Sequence, residues 1–312
     1  MLPILTIITP IFLIIAVGYV LTVRQLMPRD VLPVLSKLVL FCLIPALTFG
    51  TVARLDFDKV LAWDFLGVYA LGALLTQLVI VVLFKLLNRS LTDAAIRALC
   101  TTMPNSIFVG YPVVMQAFGE EWGYTFIFAV MVENIVILPA VLIAAELGRG
   151  RSEDASAKLI HLAGGIAKRI VSNPVIIAII AGLLVSLSGL ALPEVLSRTL
   201  TVLGNAAGGI ALLVIGGSLV ANPIRGNIRD ISLVTIGKLV IHPLMVALVL
   251  LCWPDFDPTL EALLIVYAAL PMAAVIPIIG SNYGLRDFCA SSLVATTVSA
   301  FVSLTVVLTL LL

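Results

Sequence analysis

The sequence predicts an all-α polytopic membrane protein of ten spans, arranged as two inverted five-helix halves around a pair of broken helices. Three observations predict this. Of 312 residues, 62% are hydrophobic and only 11% charged, whereas a soluble domain carries about a quarter charged residues. Basic residues gather on alternate connectors. Two apolar segments, one in each half, are interrupted by prolines at corresponding places.

Apolar runs long enough to cross a bilayer recur at roughly 3–23, 32–52, 62–87, 95–118, 122–147, 171–189, 195–220, 230–252, 260–283 and 288–311. The first run has no basic leader and no small-residue cleavage site, so it reads as a span rather than a signal peptide. The most polar connector, from Gly148 to Arg169, carries Arg149, Arg151, Glu153, Asp154, Lys158, Lys168 and Arg169 and reads as a solvated cytoplasmic loop. With the N-terminus outside, the connectors after the odd-numbered spans hold 14 of the 18 Lys and Arg residues and the opposite connectors 3, while Lys238 lies within a span. Both termini are therefore expected outside a cytoplasmic (inner or plasma) membrane.

Five spans per half make the second half enter the membrane in the opposite sense, which predicts repeats over 1–147 and 170–312 with a linker at 148–169. The local sign of the repeat is a Pro-x6-Gly spacing. Pro112 precedes Gly119 by seven residues, and Pro277 precedes Gly284 by seven. Around them run Met103-Pro104-Asn105-Ser106-Ile107-Phe108-Val109-Gly110-Tyr111-Pro112 and Leu270-Pro271-Met272-Ala273-Ala274-Val275-Ile276-Pro277. Proline removes a backbone donor and collides with the carbonyl four residues back, so each segment is expected to break near its middle.

A break at membrane depth is tolerated only where it is buried or lines a polar cavity. Half-helix N-termini there offer free N–H groups and partial positive charge to an anion. A small carboxylate could thus be held without a full positive side chain. Asn105 and Ser106 follow Pro104, where their side chains either bind a ligand or only cap the break. Ser281 and Asn282 follow the second break, nearer the cytoplasmic end, with the same two readings. Gly110 and Gly280 allow close backbone approach.

Three ionisable residues lie inside spans. Glu133, followed by Asn134, is near the middle of span five; Lys238 and His242 share one face of span eight. A charge at the bilayer centre costs about 2.5–3.5 kcal/mol on insertion scales, so a Glu133–Lys238 pair with His242 or Asn134 beside it is the expected arrangement. That pair is either structural or a coupling site; His242, just before Pro243, could instead bond a carbonyl freed at a kink. Span seven is rich in small residues, including Gly204, Gly208, Gly209, Gly216 and Gly217, which predicts close helix packing, with a sliding face or a dimer contact as alternatives. Cys42, Cys100, Cys252 and Cys289 show no metal or disulfide spacing.

Other classes lack their residues. No Gly-x4-Gly-Lys-Ser/Thr loop is present for an ATP-driven pump. The spans' interiors carry neither a His-Glu-x-x-His cluster nor two aspartates for intramembrane hydrolysis. The net charge of +1 gives no reason to expect a nucleic-acid partner. No enzyme activity, cofactor or metal is expected.

The segment from Met103 to Pro112 with Gly119 resembles the Leu-Pro-Asn-Thr…Gly-x-Pro…Tyr-Gly segment of the auxin efflux carrier family. Ala268-Ala269-Leu270-Pro271 through Pro277 and Tyr283-Gly284 is similar to that family's ninth span. The bacterial members include malonate and other organic-acid permeases. The resemblance implies the fold of bile-acid sodium symporters and sodium/proton antiporters. Spans 1, 2, 6 and 7 would form a scaffold; spans 3–5 and 8–10 would form a moving domain in which spans four and nine cross at their breaks. It places the substrate-contacting Asn at Asn105 and the crossing prolines at Pro112 and Pro277, less surely at Pro104 and Pro271.

The expected function is therefore secondary transport of a small organic anion by elevator-type or rocking motion, with a cation/proton antiporter of the same fold as the alternative. The expected binding set is Asn105, Ser106, Gly110, Tyr111, Pro112, Pro271, Ala274, Pro277, Ser281 and Asn282. Glu133, Asn134, Lys238 and His242 are assigned to charge balance or coupling. Proton or sodium coupling, and a homodimer through scaffold helices, stay open.

Overall fold

The computed structural model describes residues 2–54, 62–149, 164, 165, 168, 171–190, 192–221 and 227–312. Most of the predicted 148–169 linker lies outside the described residues. Those residues are all-helical. Seven helices are long and apolar enough to cross a membrane: α1 (Leu2–Val23), α2 (Val31–Val52), α3 (Trp63–Leu86), α6 (Glu121–Gly148), α8 (Glu194–Ala221), α9 (Ile228–Leu251) and α12 (Arg286–Leu311). Shorter apolar helices are α5 (Ser106–Ala117), α7 (Pro174–Ser188) and α10 (Pro258–Ala269), joined by α4 (Leu91–Thr102) and α11 (Ile276–Ser281).

The predicted fourth and ninth spans are each two helices. The first ends at Thr102 and resumes at Ser106. The second ends at Ala269 and resumes at Ile276. Both upstream halves begin earlier than expected, because good caps extend them. Ser90 accepts a hydrogen bond from the Asp93 N–H at the start of α4. Asp257 accepts from the N–H groups of Thr259 and Leu260 at the start of α10.

Prolines set the local geometry of the long helices in a regular way. Wide π turns occupy 39–43, 106–110, 133–137 and 237–241. Each is followed two residues later by a proline: Pro45, Pro112, Pro139 and Pro243. The residue four positions before each proline is the central one of its turn. One extra residue per turn swings that carbonyl clear of the pyrrolidine ring, so the helix continues where an ideal α-helix would clash. Pro10, inside α1, is accommodated without such a turn.

The paired glycines of the Pro-x6-Gly spacing also have a physical reason. Gly119 has φ +102° and Gly284 φ +74°. Each turns the chain after the second half of its broken segment, in a conformation that L side chains rarely adopt.

Packing divides by partner. Helix α1 lies along α8, and α2 lies against α7 and α8. The small residues of α8 permit this. A Cβ on Gly216 would collide with the backbone of Ile15 and Tyr19, and one on Gly204 would meet Leu47 at 3.0 Å. Helix α3 packs on α4 and α9, α4 on α6, and α9 on α10. Phe65, Tyr69, Phe128 and Tyr267 fill the middle of this second group.

Candidate functional site: a backbone crossing

The two interruptions touch. Pro104 and Met272 form an antiparallel bridge. The N–H of Asn105 donates to the Pro271 carbonyl at 2.8 Å, and the N–H of Ala273 donates to the Met103 carbonyl at 2.9 Å. Each break frees backbone groups that lipid cannot satisfy, and each supplies the other's missing partners. The crossing is deeply buried: Asn105 is 4% exposed, and Leu270 and Met272 are fully buried.

The crossing therefore falls at Pro104 and Pro271, not at Pro112 and Pro277. The physical reason is the difference between the two proline positions. Pro277 sits in the first turn of α11, where a missing N–H costs nothing, and Pro112 lies inside α5 behind the wide 106–110 turn that makes room for its ring. Pro104 and Pro271 follow upstream helices that have already ended.

Asn105 closes the start of α5. Its Oδ1 accepts from the Phe108 N–H at 3.2 Å, and its carbonyl accepts from Val109 and Gly110, each at 3.0 Å. The hydroxyl of Ser106 donates to Oε1 of Glu133. Ser106 opens the 106–110 turn and Glu133 opens the 133–137 turn, so two proline-induced turns bring this pair together.

The expected Glu133–Lys238 ion pair does not form: among the described residues no contact within 4 Å joins them. They lie within each other's electrostatic reach. Lys238 instead donates to the Ala268 carbonyl at 2.7 Å and stands 3.1 Å from Nδ1 of His242. Ala268 is in the last turn of α10, where carbonyls lack helical partners and the dipole favours a cation. The freed carbonyl that Lys238 bonds is the one at the break rather than one at the Pro243 kink. Asn134 turns away from the pair, donating to the Val130 carbonyl at 2.8 Å and accepting from Asn173 at 3.4 Å.

The remaining predicted residues divide. Gly110 lies against Leu270 and Tyr267, and a Cβ there would fall 2.7 Å from the Leu270 side chain. Tyr111 sets its ring edge-on to Phe126 at 5.6 Å. Pro112 faces Gly208 of α8. Pro271 and Pro277 are buried, and Ala274 is half-buried just beyond the bridge. Ser281 and Asn282 are exposed at the far end of α11. Ser281 bonds the Ile278 carbonyl at 2.6 Å, and the Asn282 carbonyl accepts from Arg149 at 2.5 Å. The structure does not bring those two to the crossing, because α11 carries them away from it.

Several polar residues here were not singled out by sequence. Gln77 donates to Thr102 Oγ1 at 3.2 Å and to the Ile137 carbonyl at 3.0 Å, tying the end of α4 to the turn in α6. A lone amide in the apolar run of α3 was its available signal. Tyr267 pairs its hydroxyl with Thr125 at 3.1 Å. Arg97, one of the 14 basic residues assigned to the cytoplasmic side, is only 4% exposed; it pairs with Asp93 and, at 2.9 Å, with Asp230, under the ring of Phe288. The Asp230 partner is 133 positions away, which no sequence spacing reveals.

A family model described as membrane transport protein matches residues 3–308. The chain belongs to this family. It is the auxin efflux carrier family to which the residues around Pro104 and Pro271 pointed. This membrane transport protein is 27% identical over 296 residues to a Rhizobium meliloti (strain 1021) protein named "Putative malonate transporter", covering 92% of this chain and 89% of that one. It is 24% identical over 304 residues to the Escherichia coli (strain K12) "Uncharacterized transporter YfdV", covering 94% and 92%. Family and relatives alike point to a multi-pass transporter rather than an enzyme.

Proposed function

We propose that this transporter is a secondary carrier of a small organic anion such as a mono- or dicarboxylate, with the crossing as its binding site. The observation that carries the reading is the reciprocal pair of hydrogen bonds between Asn105 and Pro271 and between Ala273 and Met103. That junction sets the twelve-residue helix α5 with its N-terminus at the crossing, where N–H groups without helical partners favour negative charge. The amide of Asn105, the hydroxyl of Ser106 and the backbone at Met272–Ala274 would contact the carboxylate. Glu133, Lys238 and His242 would balance charge, with a proton or sodium ion as coupling ion.

The architecture proposed for this work is ten spans in two inverted halves, in a cytoplasmic membrane with both termini outside. Spans 1, 2, 6 and 7 would be the scaffold; spans 3–5 and 8–10 would move by elevator or rocking. Element lengths support it: α3 and α9 are both 24 residues and start 165 positions apart, and α4 and α10 are both 12 residues and start 167 apart. The antiparallel sense of the Pro104–Met272 bridge is what inverted halves require. The named relative supports including malonate among the acids tried.

The test is uptake of malonate and other mono- and dicarboxylates by purified protein in proteoliposomes, paired with thermal-shift titration, since a ligand of the native state raises apparent stability. Saturable uptake abolished by Asn105→Ala is expected. No binding or uptake of any carboxylate, together with cation-dependent proton release through Glu133, would favour the antiporter reading; the placement of Glu133 on Ser106 at the crossing is what keeps that reading in view.

A further inference from the structure

Gln77 lies inside the apolar helix α3 and is 7% exposed. It spends both amide protons: Nε2 donates to Thr102 Oγ1 at 3.2 Å and to the Ile137 carbonyl at 3.0 Å. The network fixes which end of the amide faces these partners. The Ile137 carbonyl can only accept, and the Thr102 hydroxyl gives its own proton to the Ala98 carbonyl at 2.9 Å. Both partners therefore require a donor. With its two protons committed, the nitrogen has none for a solute.

The two acceptors flank the polar contact at the crossing. Thr102 is the last residue of α4, four positions before Ser106. Ile137 is the last residue of the 133–137 turn, four positions after Glu133. The Ser106 hydroxyl donates to Oε1 of Glu133. Gln77, Thr102, Ser106, Glu133 and Ile137 thus close a ring of covalent chain and hydrogen bonds. Between Thr102 and Ser106 the chain is not helical, and two backbone bonds there reach the other segment: the Met103 carbonyl accepts from Ala273, and Asn105 donates to Pro271. Those bonds fix the stretch against the second half. The Gln77 amide ties its upstream end to the helix that carries Glu133.

The second half holds its own broken helix in a comparable way. His242 lies 165 positions after Gln77, the interval that also separates the starts of α3 and α9. One turn before it, Lys238 donates at 2.7 Å to the Ala268 carbonyl in the last turn of α10. Each upstream half-helix is held near its end by a buried side chain of the preceding long helix, α4 by an amide and α10 by an ammonium.

We propose that Gln77 is a positioning residue of the crossing: by holding Thr102 and Ile137 together it sets Ser106 against Glu133. It touches no solute itself and acts through that hydroxyl and that carboxyl group. Its effect on transport rests on the reading of the crossing as the solute site; its effect on Glu133 does not.

The test reads Glu133 directly. With ¹³C-labelled glutamate in protein held in lipid vesicles, solid-state NMR identifies the Glu133 carboxyl carbon as the resonance lost in Glu133→Gln. Ser106→Ala records its shift when the hydroxyl is gone. Gln77→Leu, which removes both donors, is expected to move the resonance in the same direction as Ser106→Ala. Thr102→Val is expected to do the same from the other side of the bond, and it decides the matter if Gln77→Leu does not fold. Thr102→Ser keeps the hydroxyl and is expected to leave the resonance in place. A resonance unmoved by Ser106→Ala or by Gln77→Leu, or moved as far by Thr102→Ser as by Thr102→Val, would overturn the assignment. In proteoliposomes Gln77→Leu is expected to cut malonate uptake about ten-fold or more, as for a misplaced contact group, with Thr102→Ser close to the parent protein. Parent-level uptake by Gln77→Leu would overturn the positioning role. A parent protein that carries no malonate would count against the proposed function alone and leave the resonance test standing.

Discussion

The backbone N–H of Asn105 donates to the carbonyl of Pro271 across 166 positions of sequence, at 2.8 Å. Neither residue can be replaced in this bond by its own helix. Asn105 lies outside α4 and just before α5, and Pro271 has no N–H with which to continue α10. Geometry at the crossing is thus a property of both halves at once.

Asn105 would have two separable tasks. Its Oδ1 caps Phe108, and in the proposed binding mode its amide nitrogen would donate to the carboxylate. Asn105→Asp keeps the cap and replaces the amide donor with a negative charge; Asn105→Ala removes both. Both substitutions are expected to abolish saturable carboxylate uptake. Asn105→Ala is expected to lose about 1 kcal/mol, the usual worth of a cap; Asn105→Asp keeps the cap but buries a carboxylate at a position only 4% exposed, and is expected to lose stability as the pH rises and that group ionises. Thermal denaturation in detergent alongside uptake measures the two effects. Full uptake in Asn105→Asp would remove the amide from the binding site.

Glu133 and Lys238 lie in each other's field without touching. Lys238→Met strips the donor from the Ala268 carbonyl and removes a positive charge from the surroundings of Glu133. A loss of about 1–3 kcal/mol is expected, as for a buried polar group left without its partner. Adding Glu133→Gln should recover part of it, giving a coupling of about 1 kcal/mol or more in a double-mutant cycle. Strict additivity would mean that the two charges act independently.

Two ion pairs share Asp230 but differ in setting. The Arg97 side chain is 5% exposed and that of Arg89 37%. Arg97→Met is expected to destabilise by about 3–5 kcal/mol, while Arg89→Met should cost less than about 1 kcal/mol, as for an exposed pair. Chemical denaturation would give the order; equal losses would contradict it.

Gly208 faces Pro112 from α8, and a Cβ there would stand 3.3 Å from the proline ring; Gly209 next to it meets nothing within 4 Å. If α5 moves past α8 during transport, Gly208→Leu should reduce the uptake rate at least ten-fold while malonate thermal shifts persist. Gly209→Ala should transport like the parent protein. Normal uptake by Gly208→Leu would argue that this contact does not slide.

Much of this was legible in the chain. Apolar runs predicted membrane helices because lipid admits only elements that satisfy their own backbone. The prolines of the two segments predicted an interruption in each, and the Pro-x6-Gly spacing to Gly119 and Gly284 related the two halves, though not that these glycines turn the chain. Glu133, Lys238 and His242 stood out because charge is costly in such runs. These are local properties, set by residue type and spacing alone. Which proline pair crosses, which residue takes the Lys238 ammonium, and which aspartate holds Arg97 were decided only by tertiary packing. Each depends on a partner far away in sequence: Pro271 for Asn105, Ala268 for Lys238, Asp230 for Arg97. A backbone carbonyl such as that of Ala268 leaves no mark in composition, since every residue carries one; only the fold reveals which of them is left without a helical partner.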